Sequence, residues 1–348
     1  MSRIVVGMSG GVDSSAAAAI LHEQGHEVIG VTLHLWDYVR EGHEGRCCAP
    51  EDQYDARRVC DQLGIPHYTF DRRDLFRESV VDGFVRDYAE GRTPSPCVAC
   101  NQHVKLGPLL DIARRLGADK VATGHYARLR NEGDGVVLEA ARDLARDQSY
   151  FLFAAPMTAL RSLALPLGDL TKPDVRAYAE KLGLTNAQKP DSTDLCFVEG
   201  GDYSKFVESH GGASKPGVIE TAGGDVVGTH DGVHKFTVGQ RRGLGAIGGA
   251  PKYVLRIVPD RNAVVVGAAE EATVSRAPLR DVRWLTDTVP PEVTAKVRYR
   301  HPGVRARIEH GDNGAVELVM DVPQRGVSPG QAAVLYDGGR VVGGGWIA

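Results

Sequence analysis

Three cysteines lie where their type and spacing could do chemistry. Cys97 and Cys100 form a C-x-x-C pair in "SPCVACN", and Cys196 lies far downstream in "DSTDLCFV". Thiolates act as nucleophiles, as metal ligands and as sulfur carriers. On its own, the C-x-x-C pair is therefore compatible with a redox pair, half of a zinc site, a pair of iron–sulfur ligands or one nucleophilic thiol.

The surroundings of the pair argue against two of these sites. A zinc ribbon requires a second C-x-x-C or a histidine pair at matching spacing, and the sequence has neither. A thioredoxin-type pair follows the first strand of its domain, whereas this pair follows the turn "TPSP". Cys100 also directly precedes a helix predicted to start near Asn101, whose N-terminal dipole favours a thiolate. The other cysteines, Cys47, Cys48 and Cys60, are interpreted as incidental.

A second candidate site is the glycine-rich segment "GMSGGVDSS", which follows the predicted strand "RIVVGM" and opens a predicted helix. Small residues let backbone N–H groups approach an anion, and a helix N-terminus adds a partial positive charge. The segment lacks the lysine of the P-loop and the spacing of G-x-G-x-x-G. It carries Asp13 instead, which suits a magnesium ligand beside a triphosphate.

This segment resembles the phosphate loop of the N-type ATP pyrophosphatases, which cleave ATP between the α- and β-phosphates and adenylate a carbonyl oxygen. The resemblance implies that Leu33 flanks the adenine and that Gly124 in "ATGHYA" lies against the nucleotide. It also implies that the pyrophosphate end of ATP is bound by Gly7, Met8, Ser9, Gly10, Gly11, Val12, Asp13 and Ser14.

The chain as a whole resembles the tRNA-specific 2-thiouridylases. The segments that carry the resemblance include "ATGHYARL", "RDQSYFL", "DSTDLCFV", "HKFTVGQRRGLG" and "PGQAAVLYDGGRVVGGGWI", in that family's order. The resemblance implies ATP-dependent 2-thiolation of the wobble uridine of tRNA, with Mg²⁺ as cofactor. Cys100 would be the nucleophile and Cys196 the persulfide carrier. The implied partners are the anticodon arm of tRNA and a sulfur-donor protein, either a cysteine desulfurase or a relay protein.

Cys97 departs from the family pattern, in which an aspartate stands at this position. With Cys97 as a third thiolate, Cys97, Cys100 and Cys196 could instead bind a [4Fe–4S] cluster whose open iron carries a sulfide. The persulfide and cluster models give the same residues different roles. Two other functions also remain open: a synthetase forming an amide or guanidino bond, and a noncatalytic tRNA-binding or iron–sulfur protein.

Contacts with tRNA are implied by the same resemblance. Asp147 and Gln148 have an alternative role as caps of a helix starting at Ser149. The segment 295–310 is a basic stripe, which is either a phosphate-binding surface or a strand with a solvated charged face. The stripe contains Lys296, Arg298, Arg300, Arg305 and Arg307. The implied tRNA contacts are His125, Arg146, Asp147, Gln148, Tyr299, Arg300 and Gln331.

The elements that must position these residues change in character along the chain. Strand and helix patterns alternate over residues 1–130, which predicts a Rossmann-like α/β fold with a parallel sheet and ligands at the carboxyl ends of its strands. After residue 212, short strands separated by Gly, Pro and Asp predict β-barrel texture. We therefore expect an N-type ATP pyrophosphatase catalytic domain at 1–210, a small central β-rich domain at 211–277 and a C-terminal, tRNA-binding β-barrel at 278–348.

Composition limits the location and the partners. The chain is 42% hydrophobic and 25% charged, as in soluble globular proteins. It has no apolar run near the roughly 20 residues of a membrane span and no signal-peptide pattern at its N-terminus, so we predict a cytoplasmic protein with reduced cysteines. The formal net charge of −4 means that any RNA-binding surface must be local.

Overall fold

The structure is a computed structural model. It describes residues 1–37, 50–133, 135–191, 195–212, 215–244, 250–311 and 314–348, so Cys47 and Cys48 lie outside the described residues. Its contacts divide the chain into two compact units. The first comprises residues 1–80, 97–201 and 339–341, and the second comprises 81–96, 202–338 and 342–348.

The first unit is built on a parallel sheet, as the strand–helix alternation predicts. The sheet has the strand order β3-β2-β1-β4-β7, and its core includes the apolar residues of β1 and the alanine-rich helix α1. β5 and β6 form an antiparallel hairpin. The strands are β1 (Arg3–Gly7), β2 (Glu27–His34), β3 (His67–Asp71), β4 (Lys120–Ala122), β5 (Ala127–Glu132), β6 (Gly135–Ala140) and β7 (Leu163–Ala164).

Helices occur in both units of the chain. The segments Arg77–Val81 and Cys100–Lys105 are π-helical, a geometry that is frequent at functional sites. The α-helices are α1 (Val12–Glu23), α2 (Pro50–Leu63), α3 (Arg73–Phe76), α4 (Asp82–Ala89), α5 (Pro96–Ala99), α6 (Leu106–Arg115), α7 (Met157–Arg161), α8 (Lys172–Lys181) and α9 (Tyr203–Ser209).

Helix starts differ from expectation at the cysteine pair. The helical run begins at Pro96, not near Asn101, because proline is well tolerated in the first turn of a helix. Cys97 therefore occupies the first turn, and Cys100 lies one turn further in, where the influence of the helix dipole is weaker. At α8, Thr171 is the N-cap residue, and Asp174 completes a reciprocal capping box with it.

The second unit is β-rich, as predicted for the latter part of the chain. One sheet has the order β10-β11-β8-β9. The other strands follow the order β12-β15-β14-β13-β16-β17, and pairing of β12 with β17 closes them into a barrel. The strands are β8 (Gly217–Thr221), β9 (Val226–His230), β10 (Tyr253–Val258), β11 (Ala263–Gly267), β12 (Thr273–Trp284), β13 (Val293–Lys296), β14 (Val304–His310), β15 (Val316–Arg325), β16 (Ala332–Asp337) and β17 (Arg340–Ile347).

The basic stripe is not one continuous strand. β13 ends at Lys296, so Arg298, Tyr299 and Arg300 lie in the turn that follows it. Arg305 and Arg307 lie on β14, where both are ion-paired with carboxylates of the same unit. Within the described ranges, no helix combines the length and apolar character that a membrane span requires.

Candidate active site

The phosphate loop ends β1 and starts α1 with its backbone donors exposed to a ligand. Gly10 adopts φ +75°, a conformation that favours glycine, and Gly11 caps α1 without any side-chain hydrogen bond. The N–H groups in the first turn of α1 therefore lack a side-chain cap and can bind an anion. The Ser9 N–H donates to Ser14 Oγ at 3.2 Å, and Ser14 Oγ donates to the Gly11 carbonyl at 3.0 Å.

A buried asparagine supports this loop from behind. Asn186 Nδ2 donates to the Gly10 carbonyl and to Ser15 Oγ, both at 2.9 Å. Three other residues predicted to bind the nucleotide are partly or fully buried. Met8 and Val12 pack in the core, and Leu33 is half-buried at the end of β2. These contacts fix the backbone that the anion would meet.

Gly124 approaches the phosphate loop too closely for any side chain. A Cβ at this position would lie 2.6 Å from the Asp13 carbonyl carbon and 2.6 Å from the Ser14 nitrogen. Because these are backbone atoms at a helix start, they cannot move aside independently. Gly124 thus sets the distance between the loop after β4 and the start of α1.

Replacing Gly124 with alanine is expected to raise the KM for ATP roughly tenfold or more, because the start of α1 must shift. ATP titrations of AMP release measure this. Gly107→Ala is the matched control, since a Cβ there meets nothing within 4 Å and alanine favours a helix. An unchanged KM in Gly124→Ala would contradict the role given to this contact.

A buried lysine connects the phosphate loop to the segment that leads to Cys196. Lys172 Nζ donates to both carboxylate oxygens of Asp13 at 2.8 Å and lies 2.7 Å from Asp191 Oδ1. Its side chain is only 8% exposed. The Tyr126 hydroxyl also donates to Asp13 Oδ1, at 2.8 Å. Asp13 is therefore held by two donors before any ligand is considered.

Asp191 is the other end of this network. Arg146 and Arg176 approach its carboxylate at 2.8 and 3.0 Å, in addition to Lys172. Partial burial alone would raise the pKa of Asp191, but the hydrogen bond from Lys172 and the charges of the two arginines outweigh it and lower that pKa. Burial and the nearby Asp13 carboxylate raise the pKa of Tyr126, which keeps its hydroxyl protonated as a donor.

The segment Arg146–Gln148 is joined to the same network. Asp147 is buried, and its Oδ1 accepts from the backbone N–H groups of Ala141 and Ser149, both at 3.1 Å. Asp147 thus accepts from the first residue of the 3₁₀ turn Ser149–Phe151, whereas Gln148, the N-cap residue, makes no side-chain cap hydrogen bond. Gln148 Oε1 accepts from the Tyr126 N–H at 2.9 Å. Only Arg146 of the three presents an exposed side chain.

His125 lies between Gly124 and Tyr126 in the loop after β4. Its Nδ1 is 2.7 Å from Thr123 Oγ1. Desolvation, with a smaller contribution from the charge of Lys105, lowers the pKa of His125 well below its ordinary value.

The three cysteines carry reduced thiols in different environments. Cys97 is exposed, Cys100 is buried and Cys196 is intermediate. The ring of Phe197 packs against Phe76 of α3 with centroids 5.6 Å apart, and α3 also packs against the π-helical segment that begins at Cys100. α3 thus contacts the surroundings of both Cys100 and Cys196.

The geometry gives no support to a cluster site. Among the described residues, no group of three or more His, Cys, Asp or Glu side chains is arranged to hold a metal ion. Cys60 is a core residue, as its helical position suggests, and burial raises the pKa of its thiol to about 12. Such a thiol is inert at neutral pH.

Tyr299, Arg300 and Gln331 belong to the second unit. Gln331 Nε2 donates to the carbonyls of Thr93 and Pro94, at 3.2 and 2.9 Å. The Gln331 side chain therefore anchors the "TPSP" turn, a contact that the sequence does not reveal.

Sequence reasoning missed Lys172, Asp191, Tyr126 and Asn186. Lys172 follows Thr171 at the start of α8. Asp191 opens the segment "DSTDLCFV", which was noted for its cysteine alone. A lysine between a helix cap and a proline carries no chemical signature, so its burial against two carboxylates emerges only in three dimensions.

Three family models match consecutive parts of the chain. The tRNA methyl transferase HUP domain matches residues 2–200, the tRNA methyl transferase PRC-barrel domain matches 204–268, and the aminomethyltransferase beta-barrel domain matches 276–347. Fold and site therefore define a HUP-domain protein followed by a PRC-barrel domain and a β-barrel.

Curated relatives extend the match over nearly the whole chain. The tRNA-specific 2-thiouridylase MnmA of Rhodospirillum centenum is 50% identical, over 99% of this chain and 91% of the relative. Proteins of the same name from Sorangium cellulosum and Zymomonas mobilis are 51% and 50% identical, over 99% of this chain and 92% and 93% of the relatives. The chain belongs to the tRNA-specific 2-thiouridylase family.

Proposed function

We propose that the protein is an ATP-dependent tRNA uridine 2-sulfurtransferase that replaces the C2 oxygen of the wobble uridine with sulfur. The observation that carries this proposal is the Lys172 bridge. It joins Asp13 of the phosphate loop to Asp191, which precedes Cys196 by five residues in the sequence, and this proximity supports placing ATP binding and sulfur transfer near each other. Membership of the 2-thiouridylase family supports the same reaction.

The phosphate loop binds the triphosphate of ATP. The uncapped N–H groups in the first turn of α1 and the Ser9 hydroxyl face the anion, while Asn186 and Gly124 keep the backbone in place. Asp13 fits Mg²⁺ by its chemistry, since it supplies a carboxylate that is 31% exposed at the helix start. When bound, Mg²⁺ offsets phosphate charge. Lys172 and Tyr126 orient the carboxylate for that role.

Adenylation makes the C2 oxygen of uracil a leaving group. The oxygen attacks the α-phosphorus of ATP, and pyrophosphate departs. Cys100 thiolate then attacks the inner sulfur of the Cys196 persulfide, which forms a Cys100–Cys196 disulfide and releases the outer sulfur as a nucleophile. That sulfur adds to C2, and AMP leaves with the original oxygen. A thiol reductant returns the disulfide to two thiols.

The persulfide on Cys196 must be renewed in each cycle, so we include a sulfur-donor protein as a partner. An iron–sulfur cluster on Cys97, Cys100 and Cys196 is the second route. We prefer the persulfide because Cys97 is exposed while Cys100 is buried, so the two thiols of the pair lie in different environments.

Substrate contacts follow the division of the chain. We assign the ATP chemistry to residues 1–210 and anticodon-arm binding to the barrel at 278–348, with 211–277 as the small domain between them in sequence. Arg146 and His125 contact the flipped nucleotide from the catalytic part, since the C2 edge is hidden in a stacked loop. Tyr299, Arg300 and Gln331 are the proposed contacts from the barrel.

The decisive experiment incubates the purified protein with unmodified tRNA, Mg²⁺·ATP, a persulfide donor and a thiol reductant. Thiolated tRNA is retarded in a mercury-containing gel, and AMP and pyrophosphate are quantified in parallel. We expect one AMP per thiolated tRNA, in iron-free protein. AMP formation without thiolated tRNA would favour a synthetase, and tRNA binding without ATP turnover would favour a noncatalytic protein.

A further inference from the structure

The second unit contains an open cavity of about 640 Å³ that is separate from the phosphate loop. Its walls include Thr93, Gln240, Arg298, Arg325 and Gln331. This volume is typical of sites that bind a ligand the size of a nucleotide. The cavity is also lined by Gly239 and Gly326, where a Cβ on Gly239 would lie 2.6 Å from the Gly326 Cα. The two backbone segments therefore approach as closely as glycine permits.

The cavity is positively charged. Arg298 and Arg325 line it, and no acidic residue is among the described residues in its wall. In the part of the chain that the structure describes, neither guanidinium lies within ion-pair distance of a carboxylate. Arg276, Arg305 and Arg307 of the same unit differ, because each is paired with a glutamate.

Both guanidinium groups are held in place without being neutralised. Arg325 stacks over the ring of Tyr253, 4.4 Å from its centroid. Arg298 Nη1 donates to the Arg325 carbonyl at 3.2 Å, which leaves most of its N–H donors for another acceptor. Pre-positioned arginines with unused donors are suited to phosphate oxygens, which accept in the same planar geometry.

The polar side chains around the arginines are already satisfied by the wall. Gln240 bonds to the Thr237 N–H and to the Arg242 carbonyl, at 2.9 and 2.8 Å. Ser328 Oγ donates to the Val238 carbonyl at 3.0 Å. The wall therefore offers shape and cationic donors rather than a pattern that reads a base, as expected for a phosphodiester backbone.

We propose that this cavity binds the sugar–phosphate backbone of the RNA substrate, with Arg298 and Arg325 as its phosphate contacts. The proposal rests on RNA being the substrate of the proposed reaction. It also gives the Gln331 anchor a purpose, since one wall of the cavity is the Thr93 turn that leads along the chain to Cys97. The basic stripe thus acts through the turn after β13, not through the paired arginines of β14.

The test measures tRNA affinity by fluorescence anisotropy over a series of KCl concentrations for Arg298→Ala, Arg325→Ala and the wild type. Each variant is expected to weaken binding roughly five- to tenfold near physiological salt, and to make the slope of log K against log[KCl] shallower by about 0.7–1. Arg298→Lys is expected to restore the slope but only part of the affinity. Arg276→Ala, which removes an ion-paired arginine of the barrel, is expected to match the wild type.

Two results would overturn the proposal. One is an unchanged salt slope in both Arg298→Ala and Arg325→Ala, with thermal unfolding showing that the variants are folded. The other is unchanged tRNA affinity together with loss of thermal stabilisation by inorganic phosphate, which would assign the cavity to a small anion. Thiolation by the wild type is measured in parallel. If it fails while the slopes change as expected, the proposed function fails and the RNA site stands.

Discussion

Replacing Cys100 by serine is expected to lower thiolation of tRNA on the order of 10³-fold or more, because serine cannot displace sulfur from a persulfide. ATP-dependent adenylation precedes this step, so pyrophosphate release in the first turnover should persist, while the AMP moiety stays attached to the tRNA. Serine is close in size to cysteine, so the buried position tolerates it. Thiolated tRNA is measured in mercury-containing gels, and first-turnover pyrophosphate by rapid quench.

Cys97→Ser is the matched control, since Cys97 is exposed on the same helical run. Under the persulfide mechanism this variant keeps thiolation within a few-fold of the wild type. Under the cluster mechanism it loses a ligand, and with it bound iron and activity. Full thiolation by Cys100→Ser would refute both mechanisms. If the wild type binds iron and Cys97→Ser loses both that iron and its thiolation activity, the cluster mechanism replaces the persulfide mechanism.

Lys172→Met is expected to lower ATP-dependent AMP formation roughly 100-fold, because Asp13 loses the donor that orients it. The carboxylates of Asp13 and Asp191 would then lie near each other without the cation between them. The free energy of unfolding should fall by roughly 1–3 kcal/mol, since Arg146 and Arg176 still stabilise Asp191. AMP release is measured against ATP concentration, and stability by chemical denaturation.

Lys189→Met separates the nucleotide role from simple stability. Lys189 also bridges two aspartates, Asp52 and Asp55, but it does not contact Asp13. The Lys189→Met variant should lose about as much free energy of unfolding as Lys172→Met, while its AMP formation stays near the wild-type level. Lys172→Arg, which keeps the charge, should recover part of the lost rate. Equal loss of AMP formation in both methionine variants would reduce Lys172 to a stabilising residue.

Local patterns predicted the parts of this molecule that depend on neighbouring residues in sequence. The glycine-rich loop and the strand–helix alternation are each encoded by neighbouring residues, and the structure reproduces them. The β-barrel was also predictable from the sequence, because short strands separated by turn residues have few other stable arrangements.

Long-range contacts explain what sequence reasoning could not reach. Lys172 and Asp13 are far apart in the chain, and only the packing of α8 against α1 brings them together. β4 likewise ends at Ala122, and Gly124, two residues later, lies close to the start of α1. The roles of Cys97 and Gln331 likewise depend on partners that no local pattern specifies.

The interleaving of the two units has a consequence for any attempt to recombine this protein. Residues 81–96 fold with the second unit, where Tyr88 stacks on Tyr203 at 4.5 Å and Gln331 bonds to the Thr93 carbonyl. A chain truncated after residue 201 would lack the aromatic partners of Phe84 and Tyr88. Both rings would then be exposed as an apolar patch that favours aggregation. A chimera that replaces the β-barrel must therefore also replace residues 81–96 with a compatible segment.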